Sequence, residues 1–283
     1  MFGLPLWILV FLGYSASFFS GLFGIGGGWI VTPILFMLGI SAISAVGTGF
    51  GFVLFSSVIS FLFHKKSKNV DMKKAVILSI GSITGVFLSS KIVKYLEFIN
   101  LFEKVFKILY IGLLFIIGLL CFCSFKIKKI KSKNLFLVIL AGLFTGILSG
   151  ILGIGGGLIL FPFLIYIFGL PPPLAAGTSL LPVIFSSIIG ILSYLPHYIS
   201  FPAILWLVVG GILGSFLGVK SLNLLPKKFL TGLFGLIVAI SLISIAFKTD
   251  NSKIFSFILF GFVTLISLII SLVTIFNIKN KKN

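Results

Sequence analysis

Apolar runs long enough to cross about 30 Å of hydrocarbon follow one another along this chain with short polar gaps between them. Nine can be read, Leu4 to Leu38, Ala42 to Phe63, Ala75 to Ser90, Val105 to Phe125, Leu135 to Phe168, Leu174 to Leu195, Phe201 to Val219, Phe229 to Phe247 and Ile254 to Ile278. The first and fifth are too long for one helix, and each contains a glycine cluster. These clusters nearly repeat each other: Gly21-Leu-Phe-Gly-Ile-Gly-Gly-Gly-Trp-Ile-Val-Thr-Pro33 and Gly150-Ile-Leu-Gly-Ile-Gly-Gly-Gly-Leu-Ile-Leu-Phe-Pro162. Only helices and closed barrels span lipid, because unpaired backbone groups cost several kcal/mol there. The pattern therefore predicts an all-α polytopic membrane protein with two glycine-broken or re-entrant helices.

Composition agrees. Of 283 residues, 59% are hydrophobic and 9% charged, with a mean hydropathy of +1.32. That is too little polar surface for a soluble fold of this size. Residues Met1 to Trp7 carry no basic n-region and no small-residue cleavage site, which predicts that they belong to the mature protein. Cys121 and Cys123 lie two residues apart in an apolar helix and point to different faces, so neither a disulfide nor a zinc site is expected.

The net charge of +18 comes from lysines alone, clustered between apolar runs. Their partner is expected to be the anionic membrane surface rather than nucleic acid. If each broken segment crosses once, the lysines divide almost evenly between the two sides. If each returns to the side it entered from, 16 of the 22 share one side with the C-terminal tail. The positive-inside rule prefers the second arrangement, which inverts one repeat relative to the other.

The duplication extends past the glycines. Gly47-Thr48 matches Gly177-Thr178, Phe55-Ser56-Ser57 matches Phe185-Ser186-Ser187, and Gly81, Gly85 and Lys91 match Gly210, Gly214 and Lys220. Two repeats of about four segments are expected, residues 1–134 (with a basic loop at 126–134) and 135–248. Residues 249–283 form an additional C-terminal helix and basic tail.

Gly81 with Gly85, and Gly210, Gly214 and Gly218, are spaced as small residues that let helices approach closely. Gly24, Gly26, Gly27 and Gly28, and their copies Gly153, Gly155, Gly156 and Gly157, are read differently. Three adjacent glycines occupy all faces of a helix and cost on the order of 1 kcal/mol each relative to alanine. An unwound segment is expected, followed by a half-helix whose free N–H groups and positive dipole end offer an anion site. Thr48 and Thr178 are candidate hydroxyl donors to a bound oxyanion, against a capping role; Ser179 adds a donor in the second repeat only, where the first has Gly49. Pro33 and Pro162 are expected to kink the half-helices, and Pro171-Pro-Pro173 to form a stiff loop. No metal or cofactor site is predicted.

All four carboxylates, Asp71, Glu97, Glu103 and Asp250, fall in loops or at helix ends. Proton pumps and cation exchangers place acids at depth, whereas an anion held by amides and hydroxyls needs none. His64 and His197 sit at segment ends and are expected to be solvated at the interface; Lys91 and Lys220 complement helix dipoles. An intramembrane enzyme would need an acid, base, metal or activated nucleophile at depth, and the spans offer none. A passive anion channel lined by the same donors is the first alternative, with an intramembrane enzyme and a structural membrane protein behind it.

The paired Gly-x-x-Gly-Ile-Gly-Gly-Gly…Pro segments, followed by Ala-Val-Gly-Thr48 and Ala-Ala-Gly-Thr178, resemble the sulfite exporter TauE/SafE family of membrane permeases. The likeness covers about Ser20 to Leu242. It implies a secondary transporter of the plasma membrane for small anions such as sulfite or sulfonates, built from duplicated four-segment units and working by alternating access. The ninth segment departs from that pattern.

Overall fold

The computed structural model describes residues 6–122, 135–195, 199–222, 224–246 and 252–280. Among them all regular structure is helical: α1 (Leu6–Phe23), α2 (Gly28–Met37), α3 (Ala42–Lys66), α4 (Met72–Phe98), α5 (Phe102–Phe122), α6 (Leu135–Leu152), α7 (Gly157–Tyr166), α8 (Pro172–Tyr194), α9 (Phe201–Leu222), α10 (Lys227–Ala246) and α11 (Ser252–Asn280). Five of these, α1, α3, α4, α8 and α9, are long and apolar enough to cross a membrane. The chain is a multi-pass helical membrane protein. His197, Cys123, Asp250 and the Lys126 to Lys133 stretch lie outside the described residues.

Both overlong segments are broken at their glycines, into α1 with α2 and α6 with α7. The breaks adopt closely matched backbones: Gly24, Gly26 and Gly27 have φ of +69°, +85° and +78°, and Gly153, Gly155 and Gly156 have +67°, +73° and +84°. Side-chain-bearing residues pay about 1–2 kcal/mol at such φ, so the glycines specify the break. Elsewhere ordinary capping chemistry sets the ends. Ser41 and Asp71 cap α3 and α4 through their side chains. The prolines expected in a stiff loop instead open α8, where Pro172 sits at the first helical position, whose N–H has no partner in any helix.

Residue pairings fix the helix directions. Ser17 meets Ser56, Ser20 meets Ser60 and Gly21 meets His64, so α1 and α3 run parallel. Between them α2 runs back, since Gly28 lies against Val53 and Thr32 against Gly49. The first broken segment thus returns toward the end it came from. α9 runs with α1, as Leu207 faces Gly13 and Gly218 faces Phe18. α8 runs against α3, with Gly177 beside His64 and Gly190 beside Phe50, and α4 starts where α3 finishes. α6 runs with α4 through Leu78 with Gly142 and Ser82 with Gly146. Hence α1, α3 and α9 point one way, and α4, α6 and α8 the other. Lys65, Lys66, Lys68, Lys73, Lys74 and Lys220 gather at one end, and Lys91, Lys94, Lys104 and Lys107 at the opposite end.

The tightest helix contacts join α1 to α9 and α4 to α6, backbone against backbone. A Cβ at Gly210, Gly214 or Gly218 would overlap the carbonyl of Val10, Tyr14 or Phe18. One at Gly81 or Gly85 would overlap that of Ile139 or Leu143. This is the close approach that small residues allow in a bilayer, where packing replaces a hydrophobic driving force. α11 packs across α1, α2, α9 and α10 and is held there by hydroxyls: Tyr14 donates to Ser271 at 2.6 Å, Ser267 to Ser15 at 3.3 Å, and Ser221 and Thr274 are 2.7 Å apart.

Candidate functional site

The two glycine breaks meet in the middle of the protein. A Cβ at Gly157 would fall 2.5 Å from Ile25 Cα, and one at Gly28 would fall 2.8 Å from Gly153 O. Gly26 and Gly155 both face the same two side chains, Val53 and Val183. All eight predicted glycines, with Thr48, Thr178 and Ser179, are buried.

Both half-helices begin at this junction. In α2 the first helical bonds are donated by Ile30 and Val31 to Gly27 O, and in α7 by Ile159 and Leu160 to Gly156 O. The amides from Ile25 to Trp29 and from Ile154 to Leu158 make no hydrogen bond among the described residues. Two sets of unbonded donors and two positive dipole ends therefore converge where the breaks touch. Beside them lies Ser57 Oγ, 2.9 Å from the Cβ position of Gly26, buried and without a hydrogen-bond partner. Ser149, next to Gly156, and Ser186 are likewise buried and unpartnered. An unmade hydrogen bond of this kind costs about 1–3 kcal/mol and signals a missing ligand or water. Sequence reasoning noted the doubled Phe-Ser-Ser without assigning these serines to the site.

The break carbonyls are occupied, by different residues in the two halves. Ser179 Oγ lies 2.7 Å from Gly24 O and 2.9 Å from Ala176 O, and its hydroxyl proton is directed at these carbonyls. Gly153 O accepts instead from Thr32 Oγ1 at 3.1 Å. Gly49 leaves the room that Thr32 fills, because a Cβ there would overlap Thr32 Oγ1. Thr48 and Thr178 accept backbone N–H bonds at the starts of distant helices, from Ser200 at 3.1 Å and Asp71 at 2.9 Å. Their hydroxyl protons stay available for a further acceptor. Pro33 removes the N–H that would bond Trp29 O, and Tyr110 replaces it with a hydroxyl at 2.8 Å.

From Ser57 a buried polar track runs along α3 to the lysine-rich end. Ser17 donates to Ser56 at 3.0 Å, Ser20 and Ser60 are 3.4 Å apart, Ser60 donates to Ser215 at 3.2 Å, and His64 Nε2 lies 2.8 Å from Gly21 O. His64 is fully buried, which overturns its expected exposure at the interface. His64 is enclosed by Gly21 of α1, by Gly177 of α8, and by the loop before α4, whose Asn69 N–H donates to His64 O. At that end a pocket of 330 Å³ is lined by Phe63, Lys66, Ser67, Phe216, Val219 and Lys220.

The matching positions of the second half carry no such track. Gly190 stands where Ser60 stands, with the Phe50 ring 2.5 to 2.6 Å from its Cβ position, and Phe50 stacks on Tyr194 at 5.9 Å. A larger cavity of 490 Å³ lies away from the breaks, between α5, α6 and the outer face of α7, and is lined by apolar side chains. Among the described residues no three His, Cys, Asp or Glu side chains come together as metal ligands.

Broken helices whose free amide ends converge inside a multi-pass bundle define a membrane transporter. The chain belongs to the sulfite exporter TauE/SafE family, which matches residues 9–245 and, in a second match, residues 138–277. A probable membrane transporter protein of Methanocaldococcus jannaschii is 32% identical over 244 residues, covering 79% of this chain and 88% of the relative. The probable membrane transporter protein YunE of Bacillus subtilis is 28% identical over 278 residues, covering 88% and 98%. One from Xylella fastidiosa is 30% identical over 234 residues, covering 80% and 89%. No solved structure matches the chain.

Proposed function

We propose that this permease carries a small oxyanion, of the sulfite or sulfonate class, by alternating access at the junction of the two breaks. The convergence of two unbonded half-helix N-termini beside the unpartnered Ser57 hydroxyl carries the reading. Unbonded amides at helix N-termini bind anionic oxygens without needing a compensating lysine or arginine at depth. The Thr48 and Thr178 hydroxyls, still with protons to donate, are the candidate side-chain donors. Residues 1–134 and 135–248 form the two inverted units, and residues 249–283 are appended. The opposed directions of α1, α3 and α9 against α4, α6 and α8 support this.

The packing supports alternating access. α1 is bound to α9 and α6 to α4, so each moving body draws helices from both halves of the sequence. The bodies turn about the glycine junction and expose it first to the lysine-rich, cytoplasmic end and then to the other.

Thermal stabilisation of the purified protein by sulfite, thiosulfate, sulfate, a simple sulfonate, phosphate and chloride tests the reading. Binding to the native state alone adds about 2.7 kcal/mol at a hundredfold excess over Kd. The expected result is a selective shift with sulfur oxyanions that shrinks in Ser57→Ala. Equal, absent shifts across the panel would sink it. Saturable uphill flux in proteoliposomes would separate this carrier from a passive pore.

A further inference from the structure

The polar track ends on a side chain that anion binding alone does not require. His64 Nε2 lies 2.8 Å from Gly21 O, and a carbonyl can only accept, so Nε2 carries a proton. Nδ1 is buried and has no partner. The matching residue of the second half is Tyr194, whose hydroxyl donates to Gly150 O at 2.7 Å. Both residues thus tie the turn before a glycine break to the helix beside it. Only the imidazole can take a second proton near neutral pH.

We propose that His64 is the proton-binding site of the transport cycle: Nδ1 takes up one proton as the oxyanion settles at the glycine breaks and gives it up as the anion leaves. The proposal rests on the anion site described above. A buried imidazolium needs a counter-charge, and none of the described residues supplies it. α1, α2 and α8 carry no charged residue, and α9 carries only Lys220. The turn after His64 holds Lys65, Lys66 and Lys68. Asp71, the nearest acid in sequence, is held by Lys74, while Glu103, Lys104 and Lys107 of α5 lie at the far end of α3, by Ala42. The incoming anion is the remaining counter-charge. Ser57 and His64 share a face of α3 two turns apart, about 10 Å. At that separation and an effective dielectric constant near 20, a unit charge changes the affinity for an anion on the order of tenfold. Ser60, Ser20 and Ser215 place hydroxyls between the two.

The test uses the full-length protein and anions whose charge is constant between pH 5 and 8: sulfate, thiosulfate and methanesulfonate. In the wild type, affinity read from thermal shifts should rise about tenfold from pH 8 to pH 5, with a fractional uptake of at most about half a proton per anion bound in weakly buffered solution. His64→Gln keeps a donor for Gly21 O and removes the titrating nitrogen. It should bind with little dependence on pH and take up no proton, and His64→Tyr, which copies Tyr194, should do the same if the glutamine variant does not fold. Wild-type binding that is equally strong across the range, or an unchanged pH dependence in both variants, overturns the proton site and leaves the anion site intact. Failure of the wild type to bind any sulfur oxyanion at any pH overturns the anion site, and this proposal with it.

Discussion

The two breaks have nearly the same backbone and quite different surroundings. Around the first half, Ser56, Ser57, Ser60 and His64 of α3 face Ser17 and Ser20 of α1 and Ser215 of α9. Around the second, Gly190 and Tyr194 of α8 pack against Phe50. Equivalent helices therefore present hydroxyls toward the lysine-rich end and stacked aromatic rings toward the other. The two breaks thus share a backbone conformation, while the side chains packed beside them differ in character. On the proposed reading, the aromatic end is the one this packing closes.

The largest effects should come from the shared backbone. Gly24→Val and Gly153→Val each force a side chain onto left-handed backbone that also abuts Ala176 O or Val46 Cα. Losses on the order of 4 kcal/mol or more are expected, seen as failure to purify a monodisperse protein. A milder pair separates the halves. At Gly27 a Cβ meets Ala16 O at 2.8 Å, but at Gly156 the nearest atom, Thr145 O, is 3.5 Å away. Gly156→Ala should cost only the backbone strain, about 1–2 kcal/mol, and Gly27→Ala clearly more; equal melting temperatures would erase the distinction.

Next comes Phe50→Ala, which removes a buried ring at a cost of about 3–5 kcal/mol. It should also raise leak of the transported anion from proteoliposomes, whereas Leu180→Ala, at the matching place in the other half, should destabilise without leak. The swapped carbonyl partners give a smaller effect. Ser179→Ala leaves Gly24 O short of a partner for about 1–3 kcal/mol. Gly49→Ser should destabilise alone and be relieved by Thr32→Ala, a coupling that a double-mutant cycle on melting temperature measures directly.

The smallest concerns the start of α4. Burial would raise the Asp71 carboxyl, but the Lys74 ammonium and amide outweigh it and hold the group below its usual value. Its stabilising contribution is thus present above the unfolded-state pKa of about 4 and fades as pH falls through the lower folded value. Asp71→Ala should cost about 1 kcal/mol as a lost cap near neutral pH, and the gap from wild type should narrow under strong acid. A gap that persists unchanged would mean that the carboxylate charge adds nothing.

Much of the framework was legible in the sequence because it depends on glycine and hydropathy. Gly24 to Gly28 cannot continue a helix cheaply, and lysine counts favoured returning segments. The partners of Thr48, Thr178 and Ser179 were hidden because Ser200, Asp71 and Gly24 lie more than 100 residues away along the chain. Gly49 stands at the position matching Ser179 in the first repeat, yet nothing local reveals that Thr32 fills its place from another helix. His64 was misplaced because its nearness to charged residues suggested water. Its alignment with Tyr194, both two helical turns past a doubled Phe-Ser-Ser, was the available signal that it is an internal donor.

The pairing of α1 with α9 and of α6 with α4 also has a consequence for biosynthesis. Chains are made from the N-terminus, so α6 finds the glycine ridge of α4 already in the membrane when it arrives. α1 has no such luck: the surface that covers Val10, Tyr14 and Phe18 belongs to α9, one of the last helices to emerge. Until then the first half must wait in lipid with its closest contact unmade, and it is completed only when the other end of the polypeptide comes back to it.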